Sequence, residues 1–414
     1  MKKVAVVGAG ISGISAAHVL QDQAEVTLFE AARRIGGHTD THAILTGNRT
    51  YRVDSGFIVF NADNYPRFCA WLDELGVSSL ESDMSFGVSH RGTGLEYGTR
   101  SLNALFCQRR NLASPRFLGM LRDLRRFYRD AAGLDPAETR TLDAYLRDEG
   151  YGVGFVEDHL APMCAALWSL PATGVAQVPI AHVVAFMAHH RMLQLGGRPV
   201  WRVVSGGSTS YLEAFARRFR GRIRPGDPVQ GIVRRGDQVE LTSASGRHRF
   251  DAVVMACHSD QALALLHDPS AAERQVLGAI RYQPNRVVVH SDASVMPRRR
   301  QAWSSWNAVV DPAQPGVCQV SYWMNRLQSI PGDQQFFVTL NPARPLAQVW
   351  SEREYAHPVF TPEARRAQAR RAEISGHRNT HYCGAYWGWG FHEDGFASGL
   401  RVAAELSEGE SRAA

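Results

Sequence analysis

The stretch Val4-Ala5-Val6-Val7-Gly8-Ala9-Gly10-Ile11-Ser12-Gly13, continued by a helical pattern that carries Ala16, Ala17 and Leu20, decides the fold. Four apolar residues run into a G-x-G-x-x-G turn and then into a helix, so the segment reads as strand, tight turn, helix. A second apolar strand, Val26-Thr27-Leu28-Phe29, ends in Glu30, about twenty residues past the glycines, where a carboxylate can accept from the ribose hydroxyls of an adenosine. Gly8 permits the turn, Gly10 lets the backbone reach a pyrophosphate, and Gly13 lets helix and strand pack closely. Ile11 and Ser12 open the helix whose N-terminus faces the phosphate charge. The pattern implies a Rossmann-like α/β unit.

The continuation Ala31-Ala32-Arg33-Arg34-Ile35-Gly36-Gly37-His38 resembles the E-x-x-x-R-x-G-G segment of flavin amine oxidases, protoporphyrinogen oxidases and phytoene desaturases. That resemblance favours FAD over NAD. It implies that Arg34 approaches the pyrophosphate and that Gly36 and Gly37 let the chain pass close to the flavin ribityl. His38 stands where those families usually carry arginine; it and Ala31 join the cofactor-binding candidates. Tyr51-Arg52-Val53-Asp54-Ser55-Gly56-Phe57 resembles their D-x-G segment, which implies Asp54, Gly56 and Phe57 near the cofactor.

The chain has 414 residues, 44% hydrophobic and 21% charged, enough for two domains of ordinary size around a large cofactor. No run of eighteen apolar residues occurs, and Met1-Lys2-Lys3 leads directly into the first strand without a signal-peptide pattern, so a cytoplasmic location is expected. Six dispersed cysteines without a C-x-x-C suggest neither a zinc site nor a disulfide framework. Lys2 and Lys3 are the only lysines, so 44 of the 46 basic residues are arginine. The formal charge of +6 is read as solvated surface, with anionic phospholipid head groups as the alternative partner. Nothing resembles a nucleic-acid-binding module.

Farther along, Tyr65, Phe68, Leu72 and Leu75 share a helical face closed by Gly76, and the strand-like pieces at 85–88 and 95–97 form a hairpin. Ser114 caps a helix with Pro115 at its first position and Phe117, Leu121, Leu124 and Tyr128 as its apolar stripe. Arg122, Arg125, Arg126 and Arg129 gather on another flank, as in a helix that lies on an anionic membrane surface. Residues 151–201, with Met163, Trp168, Phe186, Met187 and Met192, read as helices lining a substrate pocket. Pro228–Val233 and Val239–Leu241 make a hairpin, followed by the buried strand 250–256; resemblance to the same families makes Val229 the backbone contact for adenine. Segments 286–290, 318–323 and 336–340 alternate like strands of a second sheet.

The segment Thr380–Gly399 reads as strand, loop and helix start, with the helix beginning near Asp394 and offering N–H groups to the flavin edge where charge accumulates on reduction. Gly384, Glu393, Asp394 and Ser398 match the closing G…E-G…S-G segment of the resembled families. His392 is a candidate acid or base, with His258 and the pair His189-His190 as alternatives, while Tyr386 and Trp387 can face the flavin.

Over almost its whole length the chain resembles the bacterial predicted NAD/FAD-binding proteins of the flavin amine oxidase superfamily, through Gly36-Gly37-His38-Thr39, Gly56–Asn61, Gln108–Leu112, Trp303–Asn307, Tyr322–Asn325 and Gly390–Gly395. The resemblance implies an amine-oxidase-like α/β architecture. The FAD-binding domain is expected at 1–80, 200–283 and 376–414, and a mixed α+β substrate domain at 81–199 and 284–375. It implies a non-covalent FAD enzyme that oxidises or desaturates a methyl-branched or unsaturated fatty-acyl chain by hydride transfer to flavin N5, associated with a lipid methyltransferase and peripheral at the inner membrane face. Amine or polyamine oxidation is one alternative; a non-catalytic flavin-bound partner of the methyltransferase is the other. Amine oxidases proper place a lysine near N5, and this chain has none after Lys3.

Overall fold

A computed structural model describes residues 1–168, 176–194, 196–313 and 318–411. The strand Lys2–Val7 lies at the centre of a five-stranded parallel sheet, flanked by Ala24–Glu30 and Ala252–Met255, with Arg222–Pro225 and Thr380–Tyr382 outside them. Three distant parts of the chain therefore build one sheet. Both of its faces are covered. Val4, Val6, Val26, Leu28 and Val254 pack toward the helices, while Ala5, Val7, Phe29, Val253 and Met255 pack toward the antiparallel sheet of Val229–Arg235, Gln238–Ser243 and Gly246–Phe250. Such strands read as near-continuous apolar runs because neither side meets water.

The helix Ile11–Leu20 rises directly from the glycine turn. A Cβ on Gly13 would lie 1.9 Å from the Gly8 carbonyl oxygen, so only glycine lets the helix begin this close to the strand end. The C-terminal helix His392–Ser411 packs on Ile11–Leu20 at similar range: a Cβ on Gly399 would stand 2.2 Å from Ser12 O, and Ser15 Oγ donates to Phe396 O at 2.9 Å.

A seven-stranded sheet forms the second layer, in the order Val349–Val359, Arg281–His290, Phe337–Leu340, Cys318–Trp323, Trp306–Val310, Phe86–His90, Leu95–Gly98. The expected hairpin and second-sheet strands all belong to it. Its long edge strand, Val349–Val359, pairs antiparallel along Arg281–His290, so that Tyr355 meets Asn285 and His357 meets Gln283.

The helix Pro66–Leu75 ends at Gly76 with φ +67°, the left-handed conformation that a glycine C-cap supplies. The helix Pro115–Ala131 is capped by Ser114 Oγ, which accepts from Phe117 N. Its buried side differs from the expected stripe: Phe117, Met120, Phe127 and Ala131 are buried, while Leu121, Leu124 and Tyr128 are only partly covered. The helix is clasped by 142–148 and 151–160, which widens its covered face beyond a single stripe. The side chain of Trp168 lies outside the described residues. No helix among the described residues is long and apolar enough to cross a membrane.

Candidate active site

At the carboxyl ends of the parallel strands lies a cavity of about 840 Å³, bounded by the turn at Gly8 and Gly10, by Glu30, Val229, Cys257 and His258, and by Gly384 to Tyr386. The Glu30 carboxylate is held by two backbone donors, Ala9 N at 2.8 Å and Ala32 N at 2.9 Å. Its remaining lone pairs are free for ribose hydroxyls. Gly10 is the N-cap of Ile11–Leu20 in extended conformation, with no side chain capping the helix. A Cβ there would meet no protein atom within 4 Å, so the space over the helix N-terminus belongs to a guest. Four orphan N–H groups and the helix dipole favour an anion at that place. Tyr386 adds a buried hydroxyl without a partner among the described residues. An elongated dinucleotide with a central pyrophosphate fits this donor set.

A second cavity of about 610 Å³ opens beside the first, walled by apolar groups that include Ile58, Met84, Phe186, Trp306, Phe360 and Trp389. The two cavities share His38, Tyr355, His357, Pro358, Gly390, Phe391 and His392, and these residues mark the junction where a cofactor in one meets a guest in the other. The junction has a defined chemistry. The His392 ring stacks on Phe57 at 3.6 Å, and its Nε2 lies 2.9 Å from the Tyr211 hydroxyl, which also meets Thr39 Oγ1. Burial pushes the His392 imidazole down to about 3. The Asn285 amide donates to His357 Nδ1 at 2.8 Å, which places the proton of the neutral ring on Nε2; burial lowers this imidazole to about 4. His38, 4.9 Å from Tyr355 and 5.2 Å from His357 by ring centroid, is also held well below its usual range, first by burial and then by His357. The Tyr355 hydroxyl lies 2.9 Å from Ser55 Oγ and donates to Asp40 at 3.2 Å. The junction thus presents neutral rings and hydroxyls at pH 7.

Among the residues singled out in the sequence, Gly8, Gly10, Ile11, Ser12, Glu30, Ala31, Arg34, Gly36, Gly37, His38, Val229, Gly384, Tyr386 and His392 line the first cavity, and Gly56 and Phe57 line the second. Arg34 reaches the cavity wall while donating to Thr39 O and Gly37 O, so its guanidinium also clamps the glycine-pair loop. Gly13 sits beneath the turn.

Like Gly13, the candidates Asp54, Trp387, Glu393, Asp394 and Ser398 line neither cavity. Asp54 collects Ser208 N and Oγ, Thr41 Oγ1 and Gln328 Nε2, tying the returning chain at 205–209 to the glycine-pair region; burial pushes it up to about 6. Glu393 accepts from Arg67 N at 3.2 Å and Phe68 N at 3.0 Å, capping the helix Pro66–Leu75, whose own N-cap residue, Tyr65, makes no side-chain cap bond. Asp394 accepts from Phe391 N, and Ser398 accepts from Gly384 N, which fixes the loop before the last helix. That helix begins at His392, two residues earlier than expected. Trp387, expected to face the flavin, packs beside Tyr386 against the core cluster under the antiparallel sheet.

Sequence reasoning passed over Tyr355 and His357. Residues 353–358 line the first cavity as a continuous run, and the segment is too polar to read as strand.

The family model of flavin containing amine oxidoreductases matches residues 11–293. No curated protein matches significantly by sequence. Solved structures share the fold. Cyclohexylamine oxidase from Brevibacterium oxydans IH-35A superposes with a TM-score of 0.68 at 17% identity, covering 99% of each chain. Wild-type putrescine oxidase bound to putrescine gives 0.69 at 14%, over 98% of this chain and 99% of the other. A CLA-producing fatty acid isomerase from P. acnes gives 0.68 at 15%, over 98% of both.

Proposed function

The chain belongs to the flavin-containing amine oxidoreductase family, and from that premise we propose that this FAD-dependent oxidoreductase oxidises or desaturates an apolar, fatty-acyl substrate. FAD, when bound, accepts the hydrogen and electron pair that leave the substrate carbon. The protein's own residues supply the rest. The N–H groups at the start of Ile11–Leu20 and the Glu30 carboxylate hold the nucleotide, and the apolar walls of the second cavity strip water from a hydrocarbon chain and orient it toward the junction. The single observation that carries the reading is the lining of that cavity: aromatic and aliphatic side chains run up to a junction of uncharged imidazoles and hydroxyls. The neutral imidazole of His392 can take the proton that oxidation of a C–H bond releases.

Among the described residues, an amine substrate would find no carboxylate at the junction, and the chain has no lysine after Lys3. Association with a lipid methyltransferase and docking on an anionic membrane face belong to the same proposal. The test is product analysis: incubation with phosphatidylglycerol bearing a methyl-branched or monounsaturated chain, followed by mass spectrometry. Loss of two hydrogens from the acyl chain supports the reading; unchanged lipid together with oxidised amine from a parallel incubation contradicts it.

A further inference from the structure

Two arginines line the apolar cavity. Arg100 follows the strand Leu95–Gly98 and Arg198 precedes the strand Trp201–Val204; both contribute to the wall of the 610 Å³ cavity, and both are exposed at its outer side. Among the described residues, neither has a carboxylate within ion-pair distance. Arg198 is steered by neutral partners alone, its Nε donating to Gln194 O at 3.0 Å and its Nη2 reaching the Tyr128 hydroxyl at 3.5 Å. Arginines elsewhere are mixed: Arg33, Arg217 and Arg247 also lack an acidic partner among the described residues but line no part of this cavity, whereas others are paired. Arg116, Arg140, Arg234, Arg286 and Arg353 each hold one or more acidic partners. The cavity's own acidic residue, Asp83, is already committed, accepting from Arg326 at 2.7 Å, from Ser305 Oγ and from Ser85, which together hold its carboxyl down to about 2.

Cations without counter-charges among the described residues, at the outer side of a chamber walled mainly by apolar groups, describe a receptor for an amphiphile: a hydrocarbon tail inside and an anion outside. We propose that Arg100 and Arg198 bind the anionic head group, a carboxylate or a phosphate, of the lipid whose chain fills the cavity. This rests on the acyl reading above and sharpens it, because the same two guanidinium groups repel an alkylammonium. Head-group pairing also fixes how far the chain runs toward the junction, so the distance from anion to reacting carbon is set by the protein. Arginine suits the task, since its planar fork keeps its charge at any working pH and matches both carboxylate and phosphate oxygens.

The experiment titrates the FAD-loaded protein with decanoate, decyl phosphate, methyl decanoate and decylamine at pH 8, reading perturbation of the flavin absorbance. At least one anion should bind about tenfold more tightly than the neutral ester, the amount expected of two charge-assisted contacts at a partly wet site. The tighter of the two anions identifies the head group. In the double variant R100Q/R198Q, with FAD content and circular dichroism as controls for folding, the anion's advantage should vanish while the ester's affinity stays unchanged. Equal binding of anions and ester by the unaltered protein, or a preference that survives in the double variant, overturns the anchor and leaves the acyl reading standing. Binding of decylamine alone, or of none of the four, overturns both.

Discussion

The Tyr211 hydroxyl lies 2.9 Å from His392 Nε2, joining the helix that follows the Gly206-Gly207 pair to the first residue of the C-terminal helix. Because the ring is also stacked on Phe57, the imidazole is held on both an edge and a face at the junction of the two cavities. Such a ring is fixed in place but uncharged, since burial costs it its proton.

That electrostatic state is visible in acid. A histidine whose folded pKa lies below its unfolded value contributes full stability above about pH 6.5 and loses it as pH falls toward the folded value, at about 1.4 kcal/mol per pH unit. His392, lowered to about 3, and His357, lowered to about 4, therefore favour unfolding between pH 6.5 and 4. Asp54 and Asp394, both raised to about 6, act in the opposite sense between about pH 4 and 6, where their protonation favours the folded state. His357→Asn should flatten the decline in denaturant midpoint between pH 6.5 and 4 relative to the unaltered protein; an identical slope would show that the imidazole is not buried neutral.

Gly10 and Gly13 should respond differently to a methyl group. Gly10→Val places its side chain in open cavity, so the protein should fold with near-normal stability yet retain little FAD. Gly13→Ala drives a Cβ to 1.9 Å from the Gly8 carbonyl and should lower stability along with FAD content. Flavin absorbance per mole of protein, read beside thermal melting, separates the two.

Glu393→Ala should cost about 1 kcal/mol by uncapping the helix Pro66–Leu75 while leaving the FAD content close to normal. A large loss of flavin without loss of stability would restore Glu393 to the cofactor site.

These outcomes trace what the sequence made legible. The strand, glycine turn and helix at the start could be read because all of their determinants are local, and the strands Ala24–Glu30 and Ala252–Met255 because both of their faces are apolar, whereas the polar, half-exposed edge strand Arg222–Pro225 was not read. Val349–Val359 escaped because it is an edge strand in which only Tyr355 is buried, so its polar sequence hides its period. It brings Tyr355 and His357 to the site only through its register on Arg281–His290, which no local pattern encodes. Glu393 and Asp394 were ambiguous for a related reason. Acidic residues at a helix start serve a cofactor or a backbone cap equally well, and the helix that Glu393 caps lies more than 300 residues away in sequence.

The arginine flank of Pro115–Ala131 divides in the structure. Arg126 donates to Asp130 and Gly150 O and lies over the Tyr151 ring, whereas Arg122, Arg125 and Arg129 are exposed. The triple change of those three to Gln should abolish low-salt sedimentation with phosphatidylglycerol vesicles, at about 1 kcal/mol per arginine, without altering FAD content. Absence of vesicle binding by the unaltered protein would remove the membrane from the account.

Anaerobic stopped-flow bleaching of the bound flavin separates an acyl from an amine substrate. A lipid with a methyl-branched or monounsaturated acyl chain should abolish the oxidised flavin absorbance within the enzyme's turnover time, while putrescine, benzylamine and amino acids leave it unchanged. Rapid bleaching by an amine, with the lipid inert, would contradict the acyl reading.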